Sequence, residues 1–143
     1  MSDKYPTLIH RWFDEVWNQQ RTDTIDEMMF DNTLHHGLTG PDGPPVSGID
    51  NFKEFHKGFV AAFPDISVEV HDVVTEGDKM ACRYTVTGTH RGPLSQIEPS
   101  HVKVEFTGGG ICKLEGGKFA EVWNQIDFSK MLYDIQTRTP EPE

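Results

Sequence analysis

The hydrophobic rhythm of this 143-residue chain changes once, at Phe63-Pro64-Asp65, and that change limits the possible folds more than any motif does. Before it, apolar side chains recur at intervals of three and four; after it, they recur at every second position. Tyr5, Leu8, Ile9, Trp12, Phe13, Val16 and Trp17 form one broad stripe, which predicts a helix from about Pro6 to Asn18. The polar break Asn18-Gln19-Gln20-Arg21 leads into a short second helix. Asp23 or Thr24 offers it a cap, and Thr24 with Glu27 has capping-box spacing. Leu38 to Pro45 reads as a loop on the turn chemistry of Gly40-Pro41-Asp42-Gly43-Pro44-Pro45. Ser47 then offers an N-cap for a third helix, striped by Phe52, Phe55, His56, Phe59, Val60 and Phe63. That helix stops at Phe63, because a residue before proline avoids the helical region.

Beyond Pro64 the pattern is strands. Ile66, Val68 and Val70 alternate towards Val74, and Glu76-Gly77-Asp78 makes a hairpin turn. Met80, Cys82, Tyr84 and Val86 alternate in a long strand to about Thr89, and His90 to Ser100 is a loop. Val102, Val104 and Phe106 alternate before Gly108-Gly109-Gly110; Gly116-Gly117 closes the last hairpin, and Lys118 to Asp127 is the final strand. The tail from Thr137 to Glu143 is expected to fray. Helices first and a meander second predict an α+β domain, not βαβ units. Two or three amphipathic helices over one face of a curved sheet of roughly four to six strands make a cone, with a pocket wherever packing is incomplete. There are no internal repeats, and residues 1–136 read as one domain.

Composition narrows the function. The hydrophobic fraction is 36% and aromatics reach 10%, enough for a packed core. Twenty-three acidic side chains against 13 basic ones give a formal charge of −10, a field that repels phosphate backbones. No Lys/Arg cluster longer than two residues overcomes it, so nucleic-acid binding is not expected. No run approaches the ~18 apolar residues of a membrane span, and Met1-Ser2-Asp3-Lys4-Tyr5-Pro6 lacks the apolar stretch of a signal peptide. Cys82 and Cys112 sit inside apparent strands and read as buried reduced thiols. Together these predict a cytoplasmic protein. No two histidines have zinc-ligand spacing with a carboxylate on one helix, so no metal site is expected.

The ordered set of local patterns resembles the SnoaL-like polyketide cyclases, a branch of the NTF2-like superfamily, over nearly everything from Leu8 to Ile135. The resemblance is carried by Arg11-Trp12-Phe13-Asp14-Glu15-Val16-Trp17-Asn18, Leu34-His35-His36-Gly37, Gly48 to Phe55, and Ala61-Ala62-Phe63-Pro64-Asp65. It continues through Glu76-Gly77-Asp78, Thr87-Gly88-Thr89-His90-Arg91-Gly92, Glu115-Gly116-Gly117-Lys118, and Glu121-Val122-Trp123-Asn124-Gln125-Ile126-Asp127. It implies a conical α+β barrel, a homodimer through the sheet, no bound cofactor, and a small apolar or aromatic carbonyl compound as ligand. In the family's cyclases an aspartate acts as acid/base in an intramolecular aldol condensation, assisted by a histidine and without a metal. An α-proton flanked by carbonyls needs only a positioned base and a donor for the enolate oxygen.

This chain departs from that pair. The family's aspartate falls at Asn124, and its histidine falls at Gly109 or Gly110. Asparagine cannot abstract a proton, and glycine contributes only space. Asn124 is then either a pocket-facing amide for a carbonyl or enolate oxygen, or a structural amide; alternation groups it with Ala120, Val122 and Ile126 on the inner face. Asp127 is either the N-cap of a short terminal helix or a substitute general base. His36 lies where the resemblance places a histidine at the pocket rim, and is either a proton-moving group there or a satisfied structural histidine; of His35 and His36 at most one can face inward from an extended strand. His56 and His71 sit among polar neighbours and read as surface or helix-face residues, with His10, His35 and His101 in the same class, and His90-Arg91 as a loop anchor. Trp17, Phe55, Phe59, Phe106, Gly110 and Val122 are the expected pocket walls. The glycine run at 108–110 predicts a bulge, a bend in a curved sheet, or clearance for a ligand.

Overall fold

Thr7 opens the first helix, α1 (Leu8–Trp12), by accepting the backbone N–H of His10 on its hydroxyl at 3.3 Å. The helix does not run on as an α-helix to Asn18. It widens into a π-helical stretch, Phe13–Asn18, in which the Gln19 N–H reaches the Asp14 carbonyl at 2.8 Å. The wider turn brings three consecutive residues, Glu15, Val16 and Trp17, into the interior. The amide of Asn18 closes the stretch by pairing with Val68 in both directions, at 3.0 and 2.7 Å, as a strand neighbour would. The computed structural model describes residues 4–40 and 42–142; Met1 to Asp3, Pro41 of the expected loop, and Glu143 of the expected tail lie outside the described residues.

The capping box expected at Thr24 and Glu27 does not form at α2 (Asp23–Met28). Thr22 takes the cap position, while the buried Thr24 hydroxyl donates to Glu15 Oε1 at 2.7 Å and Glu27 pairs with Arg11. A buried carboxylate costs more to leave unsatisfied than an exposed helix end does, so Glu15 takes the hydroxyl. Burial opposes ionisation of Glu15, but Thr24, Arg11 and Arg21 outweigh it and hold the carboxyl below its usual range.

The rest of the chain forms β1 (Met29–His36), β2 (Val46–Ser47), α3 (Gly48–Ala62), β3 (Ser67–Glu76), β4 (Lys79–Thr89), β5 (Lys103–Glu115), β6 (Lys118–Ile126) and α4 (Phe128–Thr137). The strand order is β2-β1-β6-β5-β4-β3, antiparallel except for β1 beside β6, which run parallel. The architecture is thus α+β, with a curved mixed sheet of six strands whose last strand inserts between the first and the meander. Gly116 and Gly117 have φ of +58° and +81°, the conformation a type I′ hairpin needs at both central residues.

The helices cover one face of the sheet. Trp12, Val16, Trp17, Phe52 and Phe63 are buried with Val68, Tyr84, Val86, Phe106 and Phe119. The β4–β5 ladder runs unbroken through Gly108-Gly109-Gly110, so the bulge expected there is absent. Gly108 instead makes room: a Cβ would stand 2.6 Å from the Tyr84 ring. The bulge lies on β6, where Lys113 pairs with Glu121 and Leu114 with Phe119, leaving Ala120 as the extra residue.

Two further expectations fail for packing reasons. His56 is not a surface residue; it is 3% exposed, with Nε2 bonded to the Val16 carbonyl at 2.7 Å. The expected frayed tail is tied down instead: Pro140 bridges Val102, the Glu141 N–H reaches the His101 carbonyl at 2.6 Å, and Arg91 reaches the Pro142 carbonyl at 2.9 Å. Among the described residues, no helix is long and apolar enough to cross a membrane.

Candidate functional site

Between the helices and the inner face of the sheet, packing leaves a cavity of about 80 Å³. The α1 and π-helical stretch contributes Trp12, Phe13 and Trp17 to its wall, and α3 contributes Phe52, Phe55 and Phe59. The sheet contributes Tyr84, Phe106, Gly110, Val122 and Asn124. The bulge sets this arrangement. Phe119 faces inward ahead of Ala120, and Val122, Asn124 and Ile126 face inward after it, so one extra residue swaps the parity of the strand. Ala120 is therefore not on the inner row with Asn124, and Phe119 takes its place.

The polar side chains of the wall include His35, Asn124, Tyr84, Cys82 and Cys112; among the described residues no carboxylate, lysine or arginine lines it. Burial pushes the Cys82 and Cys112 thiols up to about 11, and pushes the Tyr84 phenol well above its usual value. Both cysteines are free thiols. All these groups are neutral near pH 7, so the cavity presents dipoles and no formal charge.

His35, and not His36, is the inward histidine. The parallel register pairs His35 with Val122 and His36 with Trp123, which puts His35 on the cavity side and His36 on the outer face. This register starts after a break in the β1–β6 ladder filled by Thr33. Its buried hydroxyl donates to the Phe119 carbonyl at 2.6 Å and accepts the Phe30 N–H at 2.9 Å. His35 is 3% exposed, stacked on Trp12 at 5.9 Å and tilted against Phe52 at 4.5 Å. Its Nε2 is buried with no hydrogen-bond partner. Leaving such an atom unpaired costs about 1–3 kcal/mol. Burial, reinforced by repulsion from His36, pushes the imidazole down to about 3, so His35 is neutral at ordinary pH.

The three residues singled out for catalysis are not brought together. His36 binds Glu121 at 2.6 Å and stacks on Trp123 at 5.8 Å, outside the cavity. Asp127 caps α4 by accepting the Lys130 N–H at 3.0 Å, in an exposed position away from the cavity wall. Asn124 does line the cavity, but its amide donates to the His36 carbonyl at 2.9 Å, a structural clasp between the ends of β1 and β6. That bond uses a donor and leaves Oδ1 as an acceptor. The close approach of the two strands continues at Gly37, where φ is +85° and a Cβ would collide with the Asn124 carbonyl.

Neither glycine at the family's histidine position could be replaced without moving backbone. Gly110 pairs with Asn124 and shares the inward parity of Phe106 and Cys112, but a Cβ there would strike the Trp123 carbonyl. At Gly109 a Cβ would lie 2.7 Å from the Cys82 carbonyl. Among the described residues no cluster of His, Cys, Asp and Glu has the geometry to hold a metal ion.

A profile of the SnoaL-like polyketide cyclases matches residues 7–135, almost the whole chain. The chain belongs to the SnoaL-like polyketide cyclase family. A search of curated proteins finds no match to the sequence. Solved structures align along nearly its full length. IdmH of Streptomyces antibioticus, a candidate polyketide cyclase, is 25% identical over 91% of this chain and 96% of its own, with a TM-score of 0.78. A candidate SnoaL-like polyketide cyclase from Jannaschia sp. is 24% identical over 97% and 100% of the two chains, with a TM-score of 0.80. AclR of Streptomyces galilaeus, a candidate hydroxylase, is 24% identical over 95% and 87%, with a TM-score of 0.77. The fold is therefore the NTF2-like cone of the SnoaL-like family. Relatives of this one fold are named for two different activities, so fold alone does not decide the reaction.

Proposed function

We propose that the cone cavity takes a small, uncharged, largely apolar carbonyl compound. We propose too that the chain supports cofactor-independent acid–base chemistry on it, of the aldol-cyclisation or isomerisation type. The observation that carries this reading is the wall itself: aromatic and aliphatic on nearly all sides, with neutral polar groups only. Such a wall favours an apolar skeleton and leaves a few dipoles to orient an oxygen. The neutral His35 imidazole can offer an N–H to a carbonyl oxygen, and Asn124 Oδ1 can accept the hydroxyl of the enol formed from it. Without a carboxylate in the wall, His35 is an unprotonated lining imidazole near neutral pH, and the burial that keeps it neutral also weakens it as a proton acceptor.

A second reading, a non-catalytic small-molecule-binding or accessory protein, is favoured by the clasp of Asn124 onto His36 and by the distance of Asp127 and His36 from the cavity wall. One experiment separates them. Exchange of the α-protons of a cyclic β-diketone into deuterated water, followed by proton NMR, is expected to be accelerated by the wild-type protein and lost in Asn124→Ala. If the protein binds the diketone without accelerating exchange, the binding reading stands and the catalytic one falls.

We also propose a homodimer through the open face of the sheet. Val74, Ala81, Ile111 and Trp123 pair in succession across β3, β4, β5 and β6, and His36 continues the row on β1. Val74, Ile111 and Trp123 are 67%, 49% and 40% exposed, an apolar band that a second copy would cover. Ile111→Asp is expected to convert a dimer to a monomer in sedimentation velocity; a wild-type monomer at tens of micromolar would refute it. The two free thiols fit a reducing compartment such as the cytoplasm.

A further inference from the structure

We propose that His35 is the specificity residue of the cavity, its Nε2 binding one uncharged carbonyl or hydroxyl oxygen of the ligand at the end walled by Trp12 and Phe52. This rests on the reading of the cone as a small-molecule site and goes beyond it by assigning the ligand's oxygen to one atom.

Three independent observations converge. The Nε2 atom is buried and makes no hydrogen bond in the protein, although its residue lines the cavity. The ring is packed face-on against aromatic surface, at 19° to the Trp12 plane and 35° to that of Phe52, and neither ring bonds its Nε2 edge. Its orientation is also fixed from behind. The ladder to Val122 holds the backbone, and the Thr33 clasp and the close packing of Gly37 on Asn124 hold the strand on either side. A polar atom held rigidly at an apolar wall, with nothing to bond, is complementary to a ligand atom that enters without charge.

The same geometry selects against other ligands. A carboxylate placed at Nε2 would be buried among aromatic rings with no lysine or arginine in the wall, and the neutral imidazole could offer it a single hydrogen bond. A pure hydrocarbon would fill the space but leave Nε2 as unsatisfied as it is in the empty cavity. The preferred ligand class is therefore a neutral ketone, enol or alcohol on an apolar ring. Because His35 bonds without needing a charge, it can serve a carbonyl oxygen as donor or a hydroxyl as acceptor, according to its tautomer.

The test uses three probes of similar shape on the full chain: acetophenone, α-methylstyrene in which a methylene replaces the carbonyl oxygen, and benzoate. Binding is followed by titration with 15N-histidine NMR. The wild-type protein is expected to bind acetophenone about 5–10-fold more tightly than α-methylstyrene, the worth of one net hydrogen bond. Benzoate is expected to bind at least about tenfold more weakly than acetophenone. The His35 Nε2 resonance should move with acetophenone and stay in place with the hydrocarbon. His35→Leu should bind both neutral probes equally, while His35→Gln, which keeps a donor, should recover part of the preference. Equal affinity of the wild type for the two neutral probes, or a preference that survives in His35→Leu, overturns the assignment while leaving the cavity as a ligand site. If His35→Leu does not fold, the wild-type resonance decides, and an unmoved Nε2 signal overturns the assignment. Failure of every probe to bind the wild type overturns the cavity reading and this one with it.

Discussion

On β1, His35 lies 3% exposed against Trp12 and Phe52 with Nε2 unbonded, whereas its neighbour His36 pairs with Glu121 at 2.6 Å and stacks on Trp123. The two share a residue type, a strand and almost a backbone position. Their difference is the pleat: one residue along a strand reverses the face, and here it exchanges an apolar cavity for the open side of the sheet. The inner histidine is kept neutral by burial and has hydrogen-bonding capacity to spare. The outer one has spent its capacity on a carboxylate. A residue's promise as a functional group in this fold therefore depends on parity more than on identity.

The largest test of that contrast is a charge placed on each side. His35→Lys buries an ammonium in a wall without carboxylates and is expected to lose about 3–5 kcal/mol in urea denaturation. His36→Lys keeps the partner Glu121 at the surface and is expected to stay within about 0.5 kcal/mol of wild type. Equal costs for the two would mean that water reaches the inner end of β1, and the contrast would be lost.

Acid stability sharpens it further. The folded pKa of His35, about 3, lies below its ordinary value of 6.5, so the unfolded chain takes up the proton first. The contribution is fully present above about pH 6.5 and is lost as pH falls towards 3, by at most about 1.4 kcal/mol per unit. His56 and His90, also pushed down by burial, act with the same sign. Denaturation midpoints between pH 7 and 5 should therefore decline in the wild type and decline less in His35→Phe.

The smallest effect belongs to the outer pair. His36 and Glu121 are 34% and 35% exposed, so their contact is well screened by water. Glu121→Gln should cost no more than about 1 kcal/mol and leave ligand binding in the cavity unchanged. A loss of binding would show that the outer face controls the inner one through Asn124 and the end of β1.

Much of this fold is legible in the order of residues. The stripe from Leu8 to Trp17, the Phe52 to Phe63 stripe, the stop at Pro64 and the alternation from Ile66 onward each report a local period, and each became helix or strand, the first of them turning π-helical after Trp12. Trp17, Phe55, Phe59, Phe106, Gly110 and Val122 border the space left between helices and sheet. The misreadings share a cause. The π-helical turn, the extra residue at Ala120 and the break in β1 spanned by Thr33 each shift the register without a sequence mark, because an asparagine, an alanine or a threonine fits regular structure equally well. Thr24 shows the same thing on a smaller scale, since its hydroxyl suits a cap and a buried carboxylate alike.

Local pattern alone required helices over a sheet, a cone rich in aromatic rings, and no more than one of His35 and His36 facing inward. Those properties follow from hydrophobic period and from the alternation of a strand, which neighbouring residues alone set. Which histidine turned inward was decided by tertiary structure, in the parallel pairing of β1 with β6, strands that lie more than eighty residues apart in the chain. Register across such a distance is set by packing and by clasps such as Thr33 to Phe119 and Asn124 to His36, which exist only once the two strands have met.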